Sequence, residues 1–201
     1  MKIIILRHGE SEGNSRNVIT GTLNVGLTDK GAQQAKALSS KVAANLPTQI
    51  YVSQLKRTQQ TWSAIASSLQ AELSDPIKDS ALNERDFGAM TGKDKDWLAE
   101  SMGNNVYYDI LRGEASAPGG ESIEDVYKRS SVFLESLIKE GTNSDVIILV
   151  THHHTFRSII CYLENLPLSE VATMRVPNAS GYEYTLDREG RVTSKTGIGT
   201  R

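Results

Sequence analysis

The sequence predicts an α/β fold in which helices cover both faces of a mainly parallel sheet. Short, largely apolar runs such as residues 2–6 and 145–150 recur along the chain, and longer amphipathic segments lie between them. Apolar runs without alternation are typical of strands buried on both faces, and strands that alternate with helices are typical of parallel sheets. A chain of 201 residues with 38% hydrophobic content can bury one core, so we predict a single domain over residues 1–201.

The first half of the chain contains three predicted strands and two predicted helices. Thr28 is a suitable helix N-cap, apolar residues recur after it at helical spacing, and Pro47 ends the pattern. The strands are predicted at residues 2–6, 49–52 and 77–82, and the helices at residues 28–46 and 58–73.

The second half begins with an irregular stretch at about residues 93–120, which we call the excursion and interpret as a possible lid over the main body. The elements predicted after it are a helix at residues 122–139, a strand at 145–150, a helix in the later part of 151–166, and a hairpin within 180–192 that turns near Glu189 and Gly190.

The composition excludes several functional classes. The net charge of −2 gives no reason to expect a nucleic acid or an acidic membrane surface as a partner. Cys161 is the single cysteine and cannot form an internal disulfide, which suits a reducing compartment. No run approaches the ~20 apolar residues that span a bilayer, and Arg7 and His8 interrupt the N-terminal run too early for a signal peptide. We therefore expect a cytoplasmic protein, and the composition gives no prediction of its oligomeric state.

Polar residues follow four of the predicted strands. Arg7 and His8 come after the first strand, Arg57 after the second, Glu84 after the third and His152 after the strand at residues 145–150. The carboxyl ends of parallel strands meet at the edge of a sheet where ligands bind. Each residue alone has an ordinary structural interpretation, such as a salt-bridged arginine or a buried histidine, but their joint occurrence indicates a reactive site.

Two arginines and two histidines on one rim predict a site for a phosphorylated substrate. The planar guanidinium of arginine matches phosphate oxygens, and charge assistance strengthens each hydrogen bond. A histidine can also attack phosphorus and hold the phosphoryl group covalently. Glu84 could then supply a proton to the leaving oxygen if its pKa were raised.

The consecutive residues His152, His153 and His154 raise the alternative of a metal site. Side chains that leave a strand in succession point to alternate sides, so at most two of the three converge easily. No cysteine or further histidine lies nearby in the sequence to complete a ligand set. We therefore favour a pocket-facing His152 with His153 and His154 packed or lining the rim, and we predict neither a metal nor a cofactor.

Five segments resemble the histidine phosphatase superfamily, the phosphoglycerate mutase-like proteins. This resemblance implies a three-layer α/β/α sandwich and metal-independent phosphoryl transfer to or from a small phosphomonoester. The segments are LRHGES at 6–11, SQLKRTQQT at 53–61, LNERDFGAMTG at 82–92, PGGES at 118–122 and LVTHHHTFR at 149–157.

The resemblance also implies roles for individual residues. His8 would be the nucleophile that becomes phosphohistidine, Arg7, Arg57 and His152 would hold the phosphoryl oxygens, and Glu84 would donate and recover the proton. Further substrate contacts are expected at Asn14, Thr20, Gly21, Arg85 and Thr155.

Two positions depart from the family pattern. Gly13 stands where many relatives carry Trp, so an aromatic wall of the pocket is expected to be missing. His153 stands where relatives usually carry Gly, and a β-carbon there is expected to restrict the backbone.

Three functions remain open at this point: a phosphatase, a mutase and a catalytically silent interaction module. A mutase needs a closed, highly cationic pocket that keeps water from its phosphoenzyme. The excursion carries Lys93, Lys95 and Arg112 but no adjacent pair of arginines, which favours hydrolysis. The silent module is least favoured because all five reacting residues are present.

Overall fold

A computed structural model describes residues 1–69 and 71–199, and these residues form one six-stranded sheet between layers of helices. Its first four strands in chain order are mutually parallel, whereas the last two form an antiparallel hairpin at one edge. The predicted three-layer α/β/α sandwich with a mainly parallel sheet is therefore confirmed. The strands are β1 (Lys2–Arg7), β2 (Gln49–Ser53), β3 (Ile77–Asp79), β4 (Val146–Thr151), β5 (Gly181–Leu186) and β6 (Val192–Ile198), in the spatial order β3-β2-β4-β1-β5-β6.

The helices lie on the two faces of this sheet and in the loops at its carboxyl edge. Among residues 1–69 and 71–199, no helix is both long enough and apolar enough to cross a bilayer. They are α1 (Glu12–Ser15), α2 (Asp29–Ala37), α3 (Ser39–Ala43), α4 (Lys56–Ala66), α5 (Lys95–Met102), α6 (Asn104–Arg112), α7 (Ile123–Glu140) and α8 (His153–Leu163).

The central strand β1 is buried on both faces because its side chains alternate between two cores. Ile3 and Ile5 pack in one core with apolar residues of α7 and α8, and Ile4 and Leu6 pack in the other with residues of α3 and α4. All four side chains are fully buried. This two-sided burial explains why the first strand reads as a continuous apolar run, and it fixes the point at which the chain leaves the sheet.

Three predicted elements differ from the structure in their continuity or their length. The helix predicted at 28–46 divides into α2 and α3 at Leu38, whose amide donates to the carbonyl of Ala35, three residues back. The helix predicted at 58–73 is the shorter α4, and position 70 of that prediction lies outside the described residues. The third strand ends at Asp79, because the Asp79 carboxylate accepts a hydrogen bond from the amide of Ala81 and starts a 3₁₀ turn.

The excursion contains more regular structure than the sequence predicts, since it includes both α5 and α6. Its buried residues Leu98, Tyr107 and Ile110 pack with Phe87 and Met90 in an apolar cluster of their own. Gly103 separates the two helices at a φ of 81°, a backbone conformation that favours glycine. The excursion is therefore a small helical unit beside the carboxyl edge of the sheet.

Candidate active site

The strand exits deliver their polar residues to one rim, as the sequence predicts. Arg7 ends β1 opposite Thr151 of β4, so His8 and His152 leave adjacent strands side by side. Their ring centroids lie 5.0 Å apart. Arg57 occupies the first turn of α4, and Glu84 follows the 3₁₀ turn after β3. The two histidines, Arg57 and Glu84 are all buried. Charged and polar groups that are fixed in a buried site are preorganised to interact with a bound charge.

His8 is positioned as a neutral imidazole with one free nitrogen. Its Nδ1 lies 2.6 Å from the carbonyl oxygen of Gly9. A carbonyl can only accept, so Nδ1 carries the proton and Nε2 keeps its lone pair, with no hydrogen-bond partner among residues 1–69 and 71–199. Burial lowers the pKa of His8 well below its ordinary value, and the charges of Arg57 and Arg7 lower it further. At neutral pH, Nε2 therefore carries a free lone pair.

One hydrogen-bond donor of the Arg7 guanidinium has no partner in the described part of the chain. Its Nη1 donates to the carbonyl of Val176, whereas its buried Nε has no partner within the described part of the chain. Burial lowers the pKa of Arg7 to about 10, so the guanidinium keeps its charge at neutral pH. Arg7 also lines the cavity at the rim, so its charge is available to an anion bound there.

Arg57 and His152 form one buried hydrogen-bonded unit. Arg57 Nε donates to His152 Nδ1 over 3.0 Å, while Nη1 and Nη2 donate to the carbonyls of Leu23 and Gly21. On the other side of the ring, His152 Nε2 lies 2.8 Å from Ser53 Oγ. Nδ1 accepts in this arrangement, so Nε2 carries the proton and donates to Ser53. Burial and the charge of Arg57 lower the pKa of His152 well below its usual range, which keeps the ring neutral.

Glu84 lies at the N-terminus of α8, where backbone amides hold its carboxylate. Oε2 accepts from the amide of His153, and Oε1 accepts from the amides of His154 and Arg85. Burial opposes ionisation of Glu84, yet its pKa lies well below the ordinary value. The three amide donors, two of them at the N-terminus of α8, stabilise the carboxylate. The sequence raises the possibility of an elevated pKa, but the free protein has a lowered one.

A cavity of about 240 Å³ opens over this rim. Arg7, Arg57 and Glu84 line it, and the remaining wall combines polar and apolar residues. Lys95, at the first position of α5, brings the cation of the excursion into the cavity; burial and then the charge of Arg7 lower the pKa of Lys95. The apolar wall consists of Val18, Ile19, Phe87 and Leu111.

Three residues predicted to bind substrate line this cavity. Asn14 accepts at Oδ1 from the amide of Ser11, and the carbonyl of Gly21 accepts from Arg57. Thr20 Oγ1 is buried and has no partner among the described residues. Thr20 and Arg7 therefore each carry one unpaired, buried polar atom beside the cavity.

The other two residues predicted to bind substrate, Arg85 and Thr155, lie away from the cavity wall. Arg85 donates Nε, Nη1 and Nη2 to the carbonyls of Glu121, Ile110 and Ala115, which uses each nitrogen of its guanidinium. Thr155 donates Oγ1 to the carbonyl of Asn83. Both side chains are therefore engaged in holding the loops around the site.

The three consecutive histidines diverge. His152 is fully buried, contacts Ser53 and Arg57, and does not line the cavity, which differs from the predicted pocket-facing position. His153 and His154 both line the cavity, and His154 also packs against Phe87 with a ring-centroid distance of 5.2 Å. In the part of the chain that the structure describes, no cluster of three or more His, Cys, Asp or Glu side chains has the geometry to hold a metal ion.

The two departures from the family pattern have simple structural explanations. His153 begins α8 without a positive φ, so its β-carbon causes no backbone strain. A β-carbon on Gly13 would lie 2.3 Å from Thr20 Oγ1, so the Thr20 side chain occupies the space beside the glycine.

Sequence analysis missed two residues that hold the site in place. Asn178 donates Nδ2 to the carbonyl of His8 and to Asn14 Oδ1, and Ser53 orients His152. Ser53 ends a strand whose neighbour carries His152, a position that the strand-exit argument could have identified. Asn178 precedes Ala179, which has a φ of 49°, and no sequence periodicity signals that loop.

Comparison with known proteins gives one family. The model of the histidine phosphatase superfamily (branch 1) matches residues 3–198. A 2,3-bisphosphoglycerate-dependent phosphoglycerate mutase from Rhizobium etli is 33% identical over 201 residues, covering 98% of this chain and 96% of the relative. The mutase of the same name from Brucella melitensis is 31% identical over 197 residues, covering 96% of each chain.

Solved structures agree with this result. A phosphoserine phosphatase mutant from Entamoeba histolytica in complex with phosphoserine has a TM-score of 0.78 and 26% identity, covering 96% of this chain and 95% of that one. A mycobacterial glucosyl-3-phosphoglycerate phosphatase has a TM-score of 0.80 at 22% identity, covering 91% and 92%. Since the family model spans nearly the whole chain, and the resemblance in the five motifs agrees with it, the protein is an enzyme of the histidine phosphatase superfamily.

Proposed function

We propose that this enzyme is a metal-independent phosphomonoesterase that acts on a small phosphorylated metabolite through a phosphohistidine at His8. The observation that carries the proposal is the state of His8 itself. Its Nδ1 is fixed by Gly9, its Nε2 is free, and burial beside Arg7 and Arg57 keeps the ring neutral. A neutral imidazole with a free nitrogen next to two guanidinium groups is suited to attack a bound phosphoryl group.

In the first half-reaction, His8 Nε2 forms a bond to phosphorus while the bond from phosphorus to the leaving oxygen breaks. Arg7 and Arg57 stabilise the charge on the phosphoryl oxygens, since charge-assisted donors are strongest in a buried site. Glu84 supplies a proton to the leaving oxygen. The bound phosphate dianion raises the affinity of the adjacent Glu84 for that proton, which offsets the lowered pKa of the free enzyme.

In the second half-reaction, water attacks phosphorus and the electron pair of the P–N bond returns to His8. The proton lost by the water returns to Glu84. This sequence needs no metal ion, because the two arginines supply the positive charge and the histidine supplies the nucleophile.

The cavity walls favour hydrolysis over mutase activity. Among the described residues that line the cavity, Lys95 is the single lysine or arginine besides the two rim arginines. Lys93 and Arg112 are exposed and line no part of it. A bisphosphorylated intermediate would bring a second phosphate and a carboxylate toward Lys95 alone. One lysine with apolar neighbours suits a small monoester that carries one further acidic group.

A phosphoglycerate mutase is the second candidate. The observation in its favour is that the relatives from Rhizobium etli and Brucella melitensis, both above 30% identity over nearly their full length, carry that name.

The test compares two substrates in the presence of a chelator. We expect the purified protein to release phosphate from a generic aryl phosphate, and His8→Ala to lose this activity. Activity that survives His8→Ala or vanishes with chelator contradicts the proposed mechanism. If 3-phosphoglycerate is converted to 2-phosphoglycerate much faster than phosphate appears, the mutase is the correct function.

A further inference from the structure

His154 is a buried histidine beside the proton donor rather than beside the nucleophile. It occupies the second position of α8 and is 6% exposed. Its ring packs edge-on against Phe87 and against His153, with centroid distances of 5.2 Å and 5.1 Å. Neither the anion site nor the nucleophile described above uses it.

A backbone carbonyl of the excursion fixes the tautomer of His154. Its Nε2 lies 2.9 Å from the carbonyl oxygen of Leu111, in the last turn of α6. That carbonyl can only accept, so Nε2 carries a proton and the remaining nitrogen, Nδ1, has a lone pair in the neutral ring. Nδ1 is buried without a hydrogen-bond partner in the described part of the chain.

The unpaired nitrogen faces the carboxylate of Glu84. His154 Nδ1 lies 3.7 Å from Glu84 Oε1, and both side chains are less than a tenth exposed. In the fully deprotonated state, His154 Nδ1 has no donor, whereas Glu84 Oε1 already accepts from the amides of His154 and Arg85. A proton on Nδ1 would give this buried nitrogen a partner once the two atoms close from 3.7 Å to hydrogen-bond distance, and a buried nitrogen without a partner is costly.

We propose that His154 is the second holder of the proton that Glu84 delivers: when a phosphate dianion is bound, one proton lies between His154 Nδ1 and Glu84 Oε1. The inference rests on the proposed function, and it assigns His154 as a positioning residue for the acid. Because Leu111 belongs to α6, the protonation of Glu84 is also linked to the position of the excursion.

The proton that leaves the pair of Glu84 and His154 is replaced within one turnover. As the bond between phosphorus and the leaving oxygen breaks, that oxygen takes its electron pair and receives the proton from the pair, leaving a carboxylate and a neutral imidazole. When water attacks the phosphohistidine, the electron pair of the P–N bond returns to His8 Nε2. The proton released by the water returns to the pair of Glu84 and His154.

Several charged and titratable groups surround this pair. Arg157 and His153 face it from α8, Arg7 and His152 face it from the ends of β1 and β4, and Glu84 is the acid within it. Burial and the charge of Arg157 lower the pKa of His154, whereas Glu84 raises it. In the free enzyme the pair is therefore poor at holding a proton, and a bound dianion supplies the missing negative charge.

The first experiment observes the proton directly. Protein labelled with ¹⁵N at histidine is titrated with sulfate, which remains a dianion at neutral pH, and the His154 signals are assigned by difference from the His154→Gln spectrum. We expect sulfate to shift His154 Nδ1 toward the protonated position in the wild type, and this shift to be lost in Glu84→Gln. An unchanged Nδ1 signal at saturating sulfate overturns the inference.

The second experiment compares leaving groups in His154→Gln. The glutamine amide can still donate to the carbonyl of Leu111, but it cannot hold the shared proton. We expect kcat/KM on an alkyl phosphate, whose leaving oxygen needs a proton, to fall roughly 30-fold. On an aryl phosphate, whose leaving oxygen is a weak base, we expect less than about a 3-fold change. Equal losses on both substrates would indicate a structural role and overturn the inference.

Failure of this inference differs from failure of the proposed function. If His8→Ala keeps its activity, the phosphohistidine mechanism is wrong for every substrate. If His8→Ala is inactive while His154→Gln leaves the leaving-group dependence unchanged, the mechanism stands and the role of His154 is wrong.

Discussion

The rim of strand ends and the excursion are held in place by different means. The rim is an extension of the sheet, and its residues follow strands such as β1 whose side chains are fully buried between two cores. The excursion packs around a separate apolar cluster that includes Leu98, Tyr107 and Ile110. Polar side chains connect it to the body, since Arg85 and His154 bond to the carbonyls of Ile110 and Leu111 at the end of α6.

Because of this difference, we expect the rim and the excursion to have different functions. The sheet fixes the groups that would react with phosphorus, and substitutions there should affect every substrate. The excursion brings Lys95 and Leu111 to the cavity wall, and substitutions there should affect which substrates are accepted. Function placed on a separately packed segment can vary while the scaffold stays constant.

The largest effect is expected from Arg57→Lys in the rim. Lysine cannot bond simultaneously to His152, Gly21 and Leu23 as the guanidinium does, so both the anion site and the orientation of His152 are lost. We expect kcat/KM on an aryl phosphate to fall about 10³-fold. The matched control is Arg129→Lys, a partly buried arginine bonded to Glu121 outside the rim, which should change kcat/KM little. Equal losses in both variants would contradict a special role for the rim.

The next largest effect is expected from Arg85→Lys, which loosens the excursion without touching the cavity. One ammonium group cannot replace three donors to three carbonyls, so buried acceptors are left unpaired. We expect the free energy of unfolding to fall by about 2 kcal/mol. Urea denaturation measures this change, and steady-state assays should give a raised KM with a smaller change in kcat. A loss confined to kcat would argue against the division between rim and excursion.

Acid should destabilise the fold through the buried histidines of the rim. Burial lowers the pKa values of His8, His152 and His153, so between their folded values and the ordinary value of 6.5 the unfolded chain binds more protons. Stability is therefore complete above about pH 6.5 and decreases as the pH falls below it. We expect the free energy of unfolding to be about 4 kcal/mol lower at pH 5.5 than at pH 7.5, which is about 1.4 kcal/mol for each of the three histidines. Urea titrations at the two pH values measure the difference, and His153→Gln should reduce it; a flat profile contradicts neutral buried rings.

The smallest effect is expected from Lys95→Met in the excursion. This change removes the cation of the cavity wall but keeps an unbranched apolar side chain. We expect kcat/KM for monoesters with a second acidic group to fall about 10-fold relative to a neutral aryl phosphate, the scale of one charged contact. Lys93→Met, at an exposed neighbouring position, is the matched control and should leave the ratio unchanged. The same ratio in both variants would remove Lys95 from substrate selection.

The sequence predicts the rim better than the excursion for a physical reason. Strands buried on both faces leave long apolar runs, and the residues that end those runs, such as His8 and His152, can be identified by position alone. The helices α5 and α6 are short, and Trp97 and Tyr108 expose about half of their surface, so their apolar pattern is weak. The anchoring role of Arg85 was not predictable, because its partners are backbone carbonyls that any residue supplies.

Direct detection of the phosphoenzyme tests the central claim most sharply. The enzyme is mixed with ³²P-labelled aryl phosphate, quenched in base within the first turnover, and digested to locate the label. We predict acid-labile, base-stable label on His8 in the wild type and none in His8→Ala. Turnover without label at His8, or label on another residue, would contradict the assignment of His8 as the nucleophile.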